Sequence, residues 1–345
     1  MTRRELLGLL PAAAVVPAPA AEAPFDRIDT HLHVHRSVPR IVEGMEKSGW
    51  RALSVCVSRF VGEDVSNLPE VHPATARAAR ESRGRIAWAA AVDVRSFESP
   101  DFGSRVTADL QQWFQEGAVA VKMWKIVGMA IRSKSGDYLL PDHAALRPVY
   151  ESIQKAGRTL VAHLAEPTGA WMPLDEKNAE INYYRNNPQW HMYGRAGVPQ
   201  KEDILNARDR VLARYPKLRA VGCHLGSNED DLPLLAKRLD RYPNFAVDCA
   251  ARVRYLAGGD RTAVREFLLK YQDRVTYGTD FQVGTMDEEK AWASYSRRLE
   301  EEWQYFASTG TMTYRNRQAQ GLGLPEGVLR KIFYENPKRW FPGIA

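Results

Sequence analysis

Cysteine is scarce in this chain, and what the sequence lacks excludes several classes of protein. Its 345 residues include only three cysteines, Cys56, Cys223 and Cys249, each inside an apolar run. An odd number of cysteines in such positions predicts buried free thiols and argues against a disulfide scaffold. Basic runs are also absent, and the net charge of +6 is spread over predicted helices, so nucleic-acid binding is not indicated. A modest attraction for small anionic molecules is all that this charge implies.

Long hydrophobic runs are missing as well. The main apolar stretch, residues 6–16, is shorter than the roughly 20 residues that a membrane-spanning helix needs. A pair of arginines precedes it and an Ala-Pro-Ala sequence follows it, a pattern that resembles a twin-arginine export signal. The alternative is a disordered Ala/Pro tail. We expect residues 1–23 to be removed on export, and residues 24–345 to form one periplasmic domain without a membrane anchor.

The rest of the sequence alternates between two kinds of segment, short apolar runs and longer amphipathic stretches. Strands that alternate with helices pair in parallel, and eight of them indicate closure into an α/β fold, the (β/α)8 TIM barrel. The predicted strands are residues 25–34, 51–58, 85–94, 117–124, 158–165, 218–225, 245–251 and 274–280. The predicted helices are residues 38–48, 73–83, 104–116, 143–156, 201–214, 231–241, 260–271, 287–307 and 325–336.

Polar residues interrupt these apolar strands near their ends. The stretch DTHLHVH, residues 29–35, places three of only eight histidines at alternate positions, so all three should share one strand face with Asp29. In a barrel the C-terminal ends of the strands meet at one mouth. The candidates for that mouth are His31, His33, Lys122, His163, His224 and Asp280. Imidazole and carboxylate groups are ligands for divalent zinc, manganese or iron, so we expect a metal site, with zinc first.

The segments DTHLHVH, AVKMW, LVAHLAEP, AVGCHLG and YGTDF, in this order and spacing, resemble the amidohydrolase superfamily. The ending IFYENPKRWF resembles its amidohydrolase-2 branch, typified by aminocarboxymuconate-semialdehyde decarboxylase. The resemblance implies a metal-dependent barrel enzyme. It also implies the ligands His31, His33, His163 and Asp280, with His224 close by.

Lys122 leaves the number of metal ions open. It is similar to the strand-4 lysine that dihydroorotase-type relatives carboxylate to bridge two ions, the second of which would also take His163 and His224. An unmodified ammonium would instead hold a substrate carboxylate or repel a second cation. One ion is favoured, because the rest of the chain resembles the single-metal branch.

The expected reaction is hydrolysis of a small anionic lactone, amide or ester by a metal-activated water. Asp280 would accept and return the proton, and His224 would stabilise the developing oxyanion. Two alternatives stay open. One is non-oxidative decarboxylation or hydration by a lyase with the same ligands, and the other is a metal-binding protein without turnover.

A long aromatic insertion, residues 166–200, follows the fifth predicted strand and predicts a lid or pocket wall. The alternative for its aromatic residues is a homodimer contact. The residues expected to contact substrate are Lys122, Trp124, Glu166, Trp171, Trp190 and Arg252, the last through a carboxylate. The residues expected at the surface or at helix caps are His72, Lys125 and His143, and His35 should lie beyond the strand end, near the mouth.

Overall fold

The computed structural model describes residues 23–57, 60–61, 65–315 and 317–345, so the predicted export signal lies almost wholly outside the described residues. Nine parallel strand segments follow one another around one sheet. They are β1 Arg27–His33, β2 Trp50–Val55, β3 Ile86–Ala91, β4 Ala118–Met123, β5 Thr159–Ala162, β6 Arg219–Gly222, β7 Phe245–Asp248, β8 Val275–Thr276 and β9 Phe281–Gln282.

The sheet closes through β8 and β9, which together take the place of the eighth barrel strand. β8 pairs with β7, and β9 pairs with β1. Between them the Thr30 N–H donates to the Tyr277 carbonyl at 2.9 Å, and the Asp280 N–H donates to the His31 carbonyl at 2.7 Å. The predicted barrel is confirmed, although the single strand expected over residues 274–280 is split in two.

A helix follows each strand from β1 to β7 and the pair β8–β9, and it covers the outer face of the barrel. These helices are α1 Pro39–Ser48, α2 Leu68–Glu81, α3 Phe102–Gln115, α4 Arg147–Lys155, α5 Lys201–Arg214, α6 Leu232–Arg241, α7 Arg261–Lys270 and α8 Glu288–Ala307. The chain ends with α9 Glu326–Arg330, a π-helical turn Lys331–Glu335 and α10 Asn336–Trp340. Asp231, Asp260 and Asp287 accept backbone N–H groups at the starts of α6, α7 and α8, as N-cap residues do. The predicted helix over residues 73–83 was placed too late, because Pro73 lies inside α2.

Several short elements were not predicted. Two antiparallel hairpins pair Phe60–Val61 with Val65–Ser66 and Thr311–Tyr314 with Arg317–Gln320. The additional helical segments are Ile126–Met129, Thr168–Trp171, Ile181–Asn186, Pro188–Trp190, Cys223–Gly226 and Val253–Gly258, and the predicted helix over residues 143–156 is divided into a turn Ala144–Leu146 and α4. Three of the additional segments fold within the aromatic insertion. Among the described residues, none of the helices combines the length and the apolar character needed to cross a membrane.

The barrel interior is filled by small and branched side chains, which pack against the C-terminal residues Trp340, Phe341 and Ile344. Because strand side chains alternate, the side chain two places after an interior residue faces the same way and reaches the mouth. Thus Ala120 is followed inward by Lys122, Val161 by His163, Val221 by Cys223 and Ala246 by Asp248. The apolar core and the polar mouth are one continuous face.

β1 departs from this alternation. A bulge between Asp29 and Leu32 shifts its pairing with β2. The Asp29 carboxylate consequently accepts hydrogen bonds from Thr279 Oγ1 at 2.6 Å and from Tyr295 of the outer helix α8 at 2.9 Å. The prediction that Asp29 shares a face with His31 is therefore wrong. Asp29 lies on the outer face of the barrel, where it links β1 to Thr279, the residue before Asp280.

Candidate metal centre

His31 and His33 each have one ring nitrogen committed to the protein. His31 Nδ1 pairs with Asp248 Oδ2 at 2.8 Å, and His33 Nδ1 lies 2.7 Å from the Val55 carbonyl. A carbonyl oxygen can only accept a hydrogen bond, so His33 Nδ1 carries the proton and Nε2 of the neutral ring carries a lone pair. In both rings Nε2 is thus the atom presented to the mouth.

Asp280 completes this group. Its Oδ1 lies 3.0 Å from His33 Nε2 and 3.7 Å from His31 Nε2. In neutral His33 this places a lone pair against a carboxylate, an arrangement that only a cation can make favourable. The ligand atoms of the three residues all lie within 4.8 Å of one another. The donor set and its fixed ring orientations fit a divalent metal ion.

His163 and His224 lie beside this group and contact each other. His224 Nδ1 pairs with the Ala250 carbonyl at 2.8 Å, and its Nε2 lies 3.3 Å from His163 Nδ1. The His224 ring stacks on His31 with centroids 5.1 Å apart. His163 Nε2 is buried and has no hydrogen-bond partner among the described residues, which is the condition of an unused ligand atom.

The backbone that presents these groups is strained. His224 has φ of 59°, Leu225 of 56°, and Asp280 of 57°, all in the left-handed region. Each such conformation in a residue other than glycine costs about 1–2 kcal/mol. His224 follows the inward-facing Cys223, so an extended strand would point its side chain outward. The left-handed turn brings it back to the mouth, and this is why the predicted strand over residues 218–225 ends at Gly222.

Burial sets the charge of most of these groups. It lowers the pKa of His33, of His163 and of His224, the last to about 3, so these imidazoles are neutral at pH 7. Burial alone would raise the pKa of Asp280, but the surrounding histidines hold it well below its usual range. In His31 burial and Lys122 act to lower the pKa, but Cys223 and Asp248 outweigh them and raise it to about 10. Binding of a cation at His31 Nε2 therefore releases a proton.

Lys122 lies at the floor of the mouth and is 1% exposed. Its Nζ donates to Cys223 Sγ at 3.1 Å and lies 3.3 Å from His31 Nε2. The three cysteines are free and buried, as predicted. Lys122 therefore fills the space between β4, β1 and β6 at the base of the site.

Above these groups lies a cleft of about 740 Å³. The predicted contact residues that line it are Lys122, Trp124, Glu166, Trp190 and Arg252. Trp171 does not line this cleft. Its Nε1 donates to the Pro199 carbonyl at 3.0 Å, and its ring borders a separate cavity of about 280 Å³.

The predictions that Lys125 and His72 lie at the surface or at a helix cap are wrong, because both side chains are buried. Lys125 is 3% exposed, forms an ion pair with Glu166, and has its ammonium 4.2 Å from the centre of the Trp190 ring. His72 is also buried, and its Nε2 accepts the Ala91 N–H at 2.9 Å. His143 is exposed and caps the turn at Ala144–Leu146, as predicted. His35 follows the end of β1 and pairs with Thr75 Oγ1 at 2.7 Å.

Sequence reasoning missed Asp248, although a signal for it existed. Asp248 interrupts the apolar run FAVDCAA at the C-terminal end of β7, just where the other site residues interrupt their strands. Its carboxylate orients His31 and accepts the His224 N–H at 2.7 Å. A larger cavity of about 1120 Å³ lies at the opposite end of the barrel, beside Arg27 and Trp50, where the described residues form no cluster of metal ligands.

Comparison with known proteins agrees with the barrel fold. A family model described as amidohydrolase matches residues 28–343. An uncharacterised TIM-barrel protein from Bordetella bronchiseptica is similar at 15% sequence identity with a TM-score of 0.51, over 93% of this chain and 99% of that chain. No curated protein matched the sequence.

Two further similar structures are those of proteins with named activities. A dihydroxybenzoic acid decarboxylase from Polaromonas sp. JS666, with bound manganese and the inhibitor 2-nitroresorcinol, is 12% identical with a TM-score of 0.52, over 92% of this chain and 97% of that chain. A probable 2-pyrone-4,6-dicarboxylic acid hydrolase from Acinetobacter baumannii, with citric acid bound, is 12% identical with a TM-score of 0.50, over 92% of this chain and 99% of that chain. At such identities the similarities establish the barrel fold.

Proposed function

The chain belongs to the amidohydrolase family, whose model matches residues 28–343, and from this premise we propose that it is a metal-dependent hydrolase of small anionic lactones, amides or esters. The observation that carries the proposal is the convergence of His31, His33 and Asp280, with ligand atoms within 4.8 Å of one another, at the C-terminal mouth of the barrel. A single divalent ion, with zinc as the favoured metal, would be held by these residues and His163. When bound, it supplies Lewis acidity that polarises a carbonyl and acidifies water.

The residues around that ion have separate tasks. Asp280 is ionised at neutral pH, so its carboxylate takes a proton from the attacking water and passes it to the leaving group. His224 keeps Nδ1 on the Ala250 carbonyl, which orients Nε2 toward the mouth and the reacting group. Arg252 binds the anionic part of the substrate, and Trp124 and Trp190, in edge-to-face contact at 5.2 Å, exclude water from one wall.

Metal content tests the site. His31→Ala and Asp280→Ala should each lower the bound metal measured by elemental analysis, because each removes one of the converging donors. His143→Ala, on an exposed cap, is the matched control and should keep full metal. Full retention of metal in both site variants would contradict the site as described here.

The number of ions tests the state of Lys122. About one metal ion per chain supports an unmodified lysine, and about two ions with dependence on bicarbonate support a carboxylated, bridging lysine. Lys122→Met should leave the metal content unchanged in the first case and reduce it by half in the second.

A second candidate function is non-oxidative decarboxylation. It is favoured by the cationic side chains that line the cleft, Lys122, Lys125, Arg252, Arg254 and Arg315, which suit an acid as substrate. A panel of lactones, amides and aromatic acids, followed for acid release against CO2 release, separates the two reactions. Failure of every substrate despite tight metal binding would instead support a metal-binding protein without turnover.

A further inference from the structure

Glu229 is a buried carboxylate outside the candidate metal centre. It lies just past the left-handed turn after β6, and its side chain is 0% exposed. Neither of its oxygens has a hydrogen-bond partner among the described residues. Two cations approach it, one at each oxygen, with Lys201 Nζ 3.5 Å from Oε1 and Arg252 Nε 3.4 Å from Oε2. A carboxylate is buried at a high cost unless such partners offset it, so this position needs an explanation.

Arg252 connects Glu229 to the cleft. It follows β7, its side chain is 9% exposed, and it lines the cleft wall. The edge of its guanidinium that bears Nε faces Glu229, and Nη1 makes only a long contact of 3.4 Å with the Ala251 carbonyl. A guanidinium binds a carboxylate best through two parallel N–H groups. With the Nε edge facing Glu229, the edge that bears both terminal nitrogens remains for a ligand.

The ion pair between Arg254 and Glu180 shows how an arginine in the same cleft can instead be occupied by a protein carboxylate. Arg254 also lines the cleft, but its Nη2 donates directly to Glu180 Oε1 at 2.6 Å, so a protein carboxylate already occupies its terminal edge. Arg252 has no such partner within the part of the chain that the structure describes. The two arginines therefore differ in the edge that they offer to the cleft.

We propose that Glu229 is a positioning residue, which holds Arg252 by its Nε edge so that the terminal nitrogens bind the carboxylate of an anionic ligand in the cleft. Lys201, at the start of α5, lies near the other oxygen of Glu229 and offsets part of its buried charge. The assignment of that ligand as the substrate rests on the proposed function. The anion site itself can be tested without any turnover.

Benzoate and its neutral counterpart benzyl alcohol are the probes. Their dissociation constants are measured by calorimetry on the zinc-loaded protein and on Arg252→Gln, Glu229→Gln and the double variant. We expect each single variant to weaken benzoate binding about tenfold or more, with no change for benzyl alcohol. The double variant should bind benzoate no more weakly than Arg252→Gln alone, because Glu229 acts only through Arg252.

Two controls separate positioning from loss of structure. Glu202→Gln removes a carboxylate from Arg238, away from the cleft, and should leave benzoate binding unchanged. Should Glu229→Gln fail to fold, Glu229→Asp keeps the charge but shortens its reach, and we expect it to weaken benzoate binding by a smaller factor. Unchanged affinity in Glu229→Asp, unchanged affinity in a folded Glu229→Gln, or additive losses in the double variant would each overturn the assignment.

Failure of this inference differs from failure of the proposed function. A zinc-loaded protein that hydrolyses a neutral amide but does not bind benzoate would overturn the anion site and leave the hydrolase standing. A protein that binds benzoate through Arg252 and Glu229 but holds no metal would overturn the metal-dependent hydrolase and leave the anion site standing.

Discussion

The Asp248 carboxylate accepts three hydrogen bonds, from His31 Nδ1, from the His224 N–H and from the Ala250 N–H at 3.1 Å. It therefore fixes a ring of the metal site and the first residue of the strained turn together. In Asp248→Asn one of these acceptors becomes an NH2 donor. If that donor faces His31, the ring must move its proton to Nε2, the atom that binds metal. We expect zinc affinity to fall about 10- to 100-fold in a chelator competition titration.

Asp93→Asn is the matched control for this prediction. Asp93 follows strand β3 and pairs with Arg95 rather than with a site histidine. Its replacement should leave zinc affinity unchanged. Equal affinities for Asp248→Asn and Asp93→Asn would show that Asp248 does not orient the site.

At the scale of the elements, local sequence patterns determined what could be predicted. The alternation of apolar residues and the capping residues are local signals, so α5 was predicted with its observed bounds and α8 to within one residue. Lys122 and His163 could be placed because they continue an interior strand face. The bulge at Asp29, the left-handed turn at His224 and the burial of Lys125 depend on contacts with distant segments, which a local pattern does not contain.

Helix α8 carries a buried titratable group whose effect on stability can be measured. Glu302 accepts hydrogen bonds from Tyr277 and Tyr314, and burial raises its pKa to about 7 from 4.5. Because the folded state holds this proton more tightly, its contribution to stability is fully present below pH 4.5 and is lost as the pH rises through 7. The loss amounts to about 3 kcal/mol. Glu302→Gln is neutral at every pH and does not undergo this loss. The free energy of unfolding of the variant minus that of the unaltered protein should therefore be about 3 kcal/mol higher at pH 8 than at pH 4.5.

Urea unfolding at the two pH values measures this difference. Glu300→Gln, on the exposed face of the same helix, is the control and should show the pH dependence of the unaltered protein. If Glu302→Gln also keeps that dependence, Glu302 does not titrate as described.

At the scale of the whole molecule, we propose export through the twin-arginine signal, which precedes the described residues. Replacing Arg3 and Arg4 together by lysine should leave the protein in the cytoplasm of the producing bacterium, as measured by cell fractionation. Arg77→Lys, on the exposed surface of α2, should be exported normally. Equal export of both variants would favour the alternative, an Ala/Pro tail without a targeting role.

Three of the four proposed metal ligands lie on or between the strands that close the barrel. β1 carries His31 and His33, and Asp280 lies between β8 and β9, each of only two residues. A bound cation would therefore join the two edges at the place where the ladder is shortest. At a free metal concentration of 100 times the dissociation constant, binding stabilises the folded state by about 2.7 kcal/mol, which predicts a rise in Tm of about 5 °C.

Chelation should reverse this rise and should speed amide hydrogen exchange over residues 275–283 more than over β3, because the added stability is local to the closure. Asp280→Ala, which removes a ligand from that segment, should show a much smaller Tm response to metal. A uniform change in exchange over all strands, or an unaltered response in Asp280→Ala, would mean that the ion does not hold the barrel closed at this point.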